Sequence, residues 1–305
     1  FSNCNSKLSI INYADDTVLS STLCSFVAPT STNINLELAK VSEWLSCNKL
    51  CVNTGKSKAL VFTGQKRNVN LPSFILNGSQ LEIVDSFNYL GVIISKDFKW
   101  NKHVASVSAK ISKTIGIMKQ IKHYVPSYIL KLIYQSLIMC KLSYGILVWG
   151  KNPSNLVKLQ KKAVRIIANA NFNAHTEPIF KDLKLLRVDD LYNLKILTFY
   201  YNYINHKLPE YFTNNFIHLN EQNHNYNTRL RGNLTLPRIR HEYLRGTLRY
   251  AVAQTINACP SLITEKTRTH SLRGYATYAQ NYYLSKYSAI CSIQNCYICN
   301  IHRQA

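Results

Sequence analysis

Acidic residues are the scarce class in this chain. Among 305 residues there are 15 Asp plus Glu against 37 Lys plus Arg, so the formal charge is 37 − 15 = +22. That excess is larger than solubility requires and points to a polyanionic partner, nucleic acid or an anionic membrane surface. A lysine-rich solvated face in a chain rich in Asn, Ile and Tyr is the plainer source of the same charge. Charged residues are 17% and apolar residues 46%, which excludes disorder and allows a sizeable core. Other motifs are missing too: there is no Gly-rich phosphate loop, no Ser-His-Asp arrangement and no metal-spaced His pair. His175, His218, His224 and His241 lie among polar residues and read as surface groups. The nine cysteines are scattered and odd in number, unlike a secreted disulfide framework. No basic region followed by an apolar core and a small-residue cleavage site is present, so an intracellular protein, nuclear or cytoplasmic and not secreted, is expected. The chain begins at Phe1 and reads as a fragment of something longer.

Long apolar runs are also lacking. The nearest approach, Tyr128 to Trp149 (YILKLIYQSLIMCKLSYGILVW), contains Lys131 and Lys141. A central lysine costs roughly 2.5–3.5 kcal/mol on insertion, so a buried helix starting at Pro126-Ser127 is expected, and no membrane partner.

The periodicities that are present divide the chain near residue 96 into an α+β part and a helical part. Residues 7–11 and 17–20 are β-prone runs around Ala14-Asp15-Asp16, a hairpin pattern. Ile34, Leu38, Val41 and Leu45 predict a helix over Thr30–Cys47, capped by Thr32 or Asn33. Strands are expected at Leu50–Val52, Ala59–Phe62, Phe74–Leu76, Leu81–Val84 and Tyr89–Ile94, with Asn77-Gly78 as a hairpin turn. Beyond Trp100, Val104, Val107, Ile111, Met118 and Ile121 form one helical stripe. Leu156, Leu159, Ala163 and Ile166 form another, and Asp189–Asn205 a further helix.

The helical part carries the most informative charge pattern. From residue 98 to 176 there is no Asp or Glu, while the same stretch holds thirteen Lys or Arg. Lys99, Lys102, Lys110, Lys113, Lys119 and Lys122, then Lys158, Lys161, Lys162 and Arg165, fall on polar helix faces. A generic solvated face mixes both signs; a one-sign face suits a phosphate backbone, with contact that ignores base sequence and weakens with salt.

The stretch "NYADDTVL" (residues 12–19) holds adjacent carboxylates, Asp15 and Asp16. Asp is a common turn residue. Two such groups at a hairpin tip also repel unless a cation neutralises them, and hard oxygen donors suit Mg²⁺. A pair of such ions can activate an attacking hydroxyl and stabilise a leaving oxygen.

Several stretches in order carry a family resemblance. They are "NYADDTVL", "VSEWLSCNKLCVNTGKSKALVF" (41–62), "FNYLGVIISKDFKWNKHV" (87–104), "LSYGILVWG" (142–150), "LQKKAVRII" (159–167), "HTEPIFKDLKLL" (175–186) and "HNYNTR" (224–229). Together they resemble the reverse transcriptase of non-LTR (LINE-like) retrotransposons, from just before its Tyr-x-Asp-Asp motif to about residue 250. The resemblance implies an RNA-directed DNA polymerase using two Mg²⁺ ions, with an RNA template, a DNA primer and deoxynucleotides as partners. It implies a partial palm over 1–96, a basic thumb-like domain over 97–210 and a C-terminal region with a Cys-rich tail over 211–305. By the same resemblance Asp15 and Asp16 are catalytic metal ligands. Tyr13 lines the turn near the primer end. Lys56, of the Asn-x-x-Lys loop, contacts the incoming nucleotide or protonates pyrophosphate, and Tyr89, Leu90 and Gly91 grip the primer. The family's third metal-binding Asp and its fingers precede this motif, so a chain starting here is expected not to polymerise alone. A basic nucleic-acid-binding module without chemistry, or a decayed element with no selected function, are the alternatives. Near the C-terminus, Cys291, Cys296, Cys299 and His302 could make a Cys₃His zinc site, though four ligands within twelve residues match no structural zinc class.

Overall fold

The computed structural model describes residues 8–21, 28–62, 73–151, 153–213, 216–217, 232–239 and 242–288. The fold is α+β and divides into two compact units, Phe1–Trp100 and Asn101–Ala305.

The first unit opens on a hairpin of β1 (Ser9–Tyr13) and β2 (Asp16–Ser20), joined by Ala14-Asp15 and paired from Ser9↔Ser20 to Tyr13↔Asp16. β-Branched Ile10 and Ile11 suit an extended chain, and Ala14 takes the left-handed φ of 52° that the two-residue turn needs. α1 (Ala28–Cys47) follows. It starts before Thr32 and Asn33, which therefore lie inside its first turns and do not cap it; Pro29 is tolerated in the first turn, where N–H groups have no intrahelical partner. Ile34 and Leu38 pack with Phe74, Leu76 and Leu81 in the unit's small core, with Leu19, Val52, Ala59, Val61 and Ile83 at its margin. Asn35 ties helix to sheet, donating to Ser73 O (3.0 Å) and accepting from Ile75 N (3.0 Å).

The strands are shorter than their sequence runs. β3 (Lys58–Ala59) pairs parallel with β6 (Glu82–Ile83), and β4 (Ile75–Leu76) with β5 (Ser79–Gln80) across Asn77-Gly78, at φ 49° and 72°. Leu50–Val52 is not a strand: Lys49 at φ 57° ends α1, and Leu50 N donates back to Leu45 O (2.9 Å), a helix-terminating turn. The run Tyr89–Ile94 is not one strand either. It bends at Leu90 (φ 47°) and Gly91 (φ 80°) into a hairpin of β7 (Ser86–Tyr89) and β8 (Val92–Ser95).

The second unit is helical. α2 (Asn101–Ile121) buries His103, Val107, Ile111, Thr114, Ile115 and Met118. The apolar run from Tyr128 is not one helix. It comprises α3 (Ser127–Ile133), a π-helical segment Tyr134–Met139, α4 (Cys140–Ser143) and α5 (Ile146–Trp149). Its buried residues from Leu130 to Ile146, Leu130, Tyr134, Ile138, Leu142 and Ile146, recur every fourth position, and Trp149 follows three on. In an α-helix a spacing of four drifts about 40° per step. The π segment places more residues in each turn and absorbs part of the drift. Gly145, at φ 61°, then breaks the helix before Ile146.

α6 (Ser154–Ile167), α7 (Thr176–Asp182) and α8 (Val188–Ile204) complete the first part of this unit. α9 (Glu210–Thr213), α10 (Leu248–Ala258), α11 (Ser261–Glu265) and α12 (Leu272–Ser285) follow, with a 3₁₀ turn at Glu242–Gly246. α2 packs on α6, and α8 takes α10 and α12 against it. On α6 the buried residues are Leu156, Gln160, Ala163, Val164 and Ile167, one position on from the expected Leu159 and Ile166. Gln160 can occupy the core because all its polar atoms are used. It donates to Tyr134 OH (2.7 Å) and Leu186 O (3.3 Å) and accepts from Val188 N (2.7 Å). No described helix is long and apolar enough to cross a membrane.

Candidate functional site

Two places carry the candidate chemistry, one in each unit. In the first, Asp15 and Asp16 sit at the β1–β2 tip, where every residue from Ser9 to Thr17 is exposed. Among the described residues β1 pairs with β2 and with no other strand. Tyr13, paired with Asp16, is 62% exposed and flanks the carboxylates. Mg²⁺ takes one or two carboxylates and keeps several waters, so two solvent-open carboxylates fit one such ion. Among the described residues no group of three or more His, Cys, Asp or Glu side chains is placed to hold a metal ion.

Lys56 closes a turn that its own motif builds. Asn53 accepts from Lys56 N both through Oδ1 (3.1 Å) and through its carbonyl (3.1 Å), and that carbonyl also takes Ser57 N (3.1 Å) and Ser57 Oγ (3.0 Å). The side-chain bond to the backbone three residues on is why Asn suits the first position. It leaves the Lys56 side chain exposed. Tyr89, Leu90 and Gly91 form the end of β7 and the β7–β8 turn. Leucine at φ 47° is strained, a conformation retained where its surroundings demand it. Asp15-Asp16, Lys56 and Tyr89-Leu90-Gly91 occupy three separate turns of the first unit.

In the second unit the lysines lie away from the core. On α2, Lys102 and Lys113 fall opposite the buried stripe, with Lys110 and Lys119 on its flanks, and all four are exposed. Lys122 is half-buried just past the helix. On α6, Lys158, Lys161, Lys162 and Arg165 fall opposite Leu156, Gln160, Ala163 and Ile167. Lys158 and Lys162 are exposed, while Lys161 and Arg165 are half-buried. Arg165 Nε donates to Ala174 O (2.8 Å), and burial lowers its pKa from the ordinary arginine value. It therefore anchors the loop after α6 as well as adding charge.

Two of the remaining ordered motifs pack into the core of the second unit. In "LSYGILVWG", Leu142 and Trp149 are fully buried, and Trp149 Nε1 donates to Tyr144 O (2.9 Å). The His103 ring meets Trp149 edge-on at 5.1 Å. A Cβ at Gly150 would lie 2.5 Å from Ile146 Cγ1 and 2.7 Å from Tyr192 Cδ2, so glycine is required there by space. In "HTEPIFKDLKLL", Phe180, Leu185 and Leu186 enter the core. Arg187 next to it reaches Glu177 (3.4 Å) and Asp190 (3.4 Å), and Tyr287 OH donates to Asp190 (2.5 Å). Periodicity could not single out Gln160 or Gly150, since neither is apolar and bulky. Cys291, Cys296, Cys299 and His302, with His218, His224, His241 and "HNYNTR", lie outside the described residues.

The chain is similar to the RNA-directed DNA polymerase from mobile element jockey of Drosophila melanogaster, with 26% identity over 190 residues, 59% of this chain and 20% of that protein. The protein of the same name from Drosophila funebris is 27% identical over 190 residues, with the same shares of each chain. The match thus spans about a fifth of the length of these curated relatives. No family model matches, and no solved structure gives a significant match. The resemblance to reverse transcriptases of non-LTR elements is borne out by these relatives.

Proposed function

We propose, from kinship with the jockey polymerases, that this chain is part of an RNA-directed DNA polymerase of a non-LTR retrotransposon. In this reading the second unit holds an RNA template paired with a DNA primer. One observation carries it: a stretch free of acids from residue 98 to 176, in which Lys102, Lys110 and Lys113 on α2 and Lys158 and Lys162 on α6 are exposed. Those ammonium groups neutralise phosphates and release counterions, which supplies affinity without reading bases. Residues 1–96 then correspond to part of a palm and residues 97–210 to a thumb-like domain.

In the first unit Asp15 and Asp16 would hold Mg²⁺, which when bound offsets charge on nucleotide phosphates. Tyr13 offers an exposed ring beside them, for the primer end. Asn53 holds the loop from which Lys56 presents its ammonium group, suited to the phosphates of an incoming deoxynucleotide. Tyr89, Leu90 and Gly91 offer a rigid turn to the primer backbone. The absence of a third ligand among the described residues favours a second, narrower reading, in which the chain alone binds nucleic acid without chemistry.

Titration of a labelled RNA–DNA hybrid at several salt concentrations tests the binding. Lys110→Gln, Lys113→Gln, Lys158→Gln and Lys162→Gln combined should weaken it and flatten the salt slope by about 0.9 for each phosphate that is no longer neutralised. Asp15→Asn with Asp16→Asn should leave it unchanged. Wild-type affinity in the lysine variant sinks the proposal. Nucleotide incorporation by the 305-residue chain, abolished by Asp15→Asn, sinks the narrower reading.

A further inference from the structure

We infer that the turn between α2 and α3 is a stacking site for an unpaired nucleotide, so that the second unit grips single strands as well as a duplex backbone. The inference rests on that unit being the nucleic-acid holder. Tyr124 and Tyr128 flank Pro126 in this turn and are 86% and 68% exposed. In the same unit Tyr134, Tyr201, Tyr275, Tyr283 and Tyr287 are buried, while the other strongly exposed tyrosines among its described residues, Tyr144 (56%) and Tyr211 (84%), are single in sequence. Tyr124 and Tyr128 instead place two rings in water within five residues. The turn is short and stiff. Tyr124 N donates to Ile121 O (2.9 Å), Ile129 N to Pro126 O (3.0 Å), and Pro126 holds φ −67° and ψ 158° at the start of α3.

The charge around these rings decides the occupant. Lys119, Lys122 and His123 lead into the turn, and Lys131 and Leu132 share a helix face with Tyr128. No acidic residue lies within the acid-free stretch that contains the turn. Tyr211 makes the contrast: it is 84% exposed but sits beside Glu210. Exposed rings interleaved with cations are the chemistry that holds single-stranded nucleic acid, the bases stacking on rings while the cations take phosphates. A duplex keeps its bases stacked inside and offers such a ring nothing beyond its end, so the turn should discriminate between the two forms.

The test compares a single-stranded oligonucleotide carrying a fluorescent adenine analogue with a blunt hybrid duplex of equal length. Tyr124→Ala with Tyr128→Ala should lower single-strand affinity by about 10-fold or more, lose the quenching of the analogue and leave duplex affinity unchanged. Tyr124→Phe with Tyr128→Phe keeps the rings and should bind as wild type. Both sites are exposed, and the duplex affinity doubles as a folding control. Equal binding of single strand by the alanine variant, or an equal loss on single strand and duplex, overturns the inference. So does tyrosine-dependent sedimentation with anionic vesicles in place of single-strand binding. If Lys119→Gln with Lys122→Gln and the α2–α6 lysine variant all bind both forms as wild type, the nucleic-acid reading itself fails. If they weaken both forms and the tyrosine variant does not, only the stacking site fails.

Discussion

The two units differ in where their apolar surface goes. The first gathers five buried residues around α1, while Ile10, Ile11 and Tyr13 on its hairpin stay more than half exposed. The second buries Met118, Tyr134, Leu142, Trp149, Phe180, Ile196, Val252 and Tyr275 almost completely. Asp15-Asp16, Lys56 and Tyr89-Leu90-Gly91 are thus on the thinly supported unit, and the lysine faces of α2 and α6 are on the deep one. A hairpin alone is marginally stable in water, so the carboxylate turn gains its order from what packs against it. The lysine faces gain theirs from a core already complete within their own unit.

Trp149→Ala tests this contrast where it is greatest. Removing a fully buried indole should destabilise the second unit by about 3–5 kcal/mol in urea denaturation. Ile11→Ser, at an exposed strand position, should cost within roughly 0.5 kcal/mol. A small loss at Trp149, or a large one at Ile11, would reverse the contrast.

Gln160→Leu comes next. It keeps volume but leaves Val188 N–H buried without its acceptor, which costs about 1–3 kcal/mol. No change on this substitution would mean that the polar hub is incidental to the packing of α6 and α8.

The smallest effect is a pH dependence confined to the second unit. Burial, and after it Lys110, lowers the pKa of His103 from its ordinary 6.5. The unfolded chain therefore takes up this proton at a higher pH than the folded chain. Stability from His103 is present above about 6.5 and is lost as pH falls from there through the lowered folded value, with a slope of at most about 1.4 kcal/mol per pH unit. Urea midpoints at pH 7.5 and 5 should diverge less in His103→Phe than in wild type. An unchanged divergence assigns the pH dependence to other groups.

Turn chemistry was the most legible feature of the fold. Ala14-Asp15 and Asn77-Gly78 turn where Asp, Asn and Gly make it inexpensive. Leu90-Gly91 turns as well, and no rule of side-chain preference marks a leucine at φ 47°, so Tyr89–Ile94 read as one strand across the turn. Helix faces were legible to within one residue. On α6 Leu156 and Ala163 are buried as expected, while Gln160 takes the core place expected for Leu159, because it finds three partners inside. Of the candidate site, the roles of Asp15, Asp16 and Lys56 came from the order of motifs, the lysine faces from the charge pattern, and their exposure from the tertiary structure alone.

Composition and spacing by themselves determined the charge of the chain and its α+β to helical change, and the order of its motifs carried the family resemblance, because these depend on residue type and order. Only the tertiary structure decided that Gln160 is core, that Gly150 has no room for a side chain and that Tyr124 and Tyr128 face water. Each of those depends on what a distant segment brings alongside. The "YADD" turn shows both: its residue types suit a turn or a cation, and the tertiary structure sets the two carboxylates exposed at a hairpin tip.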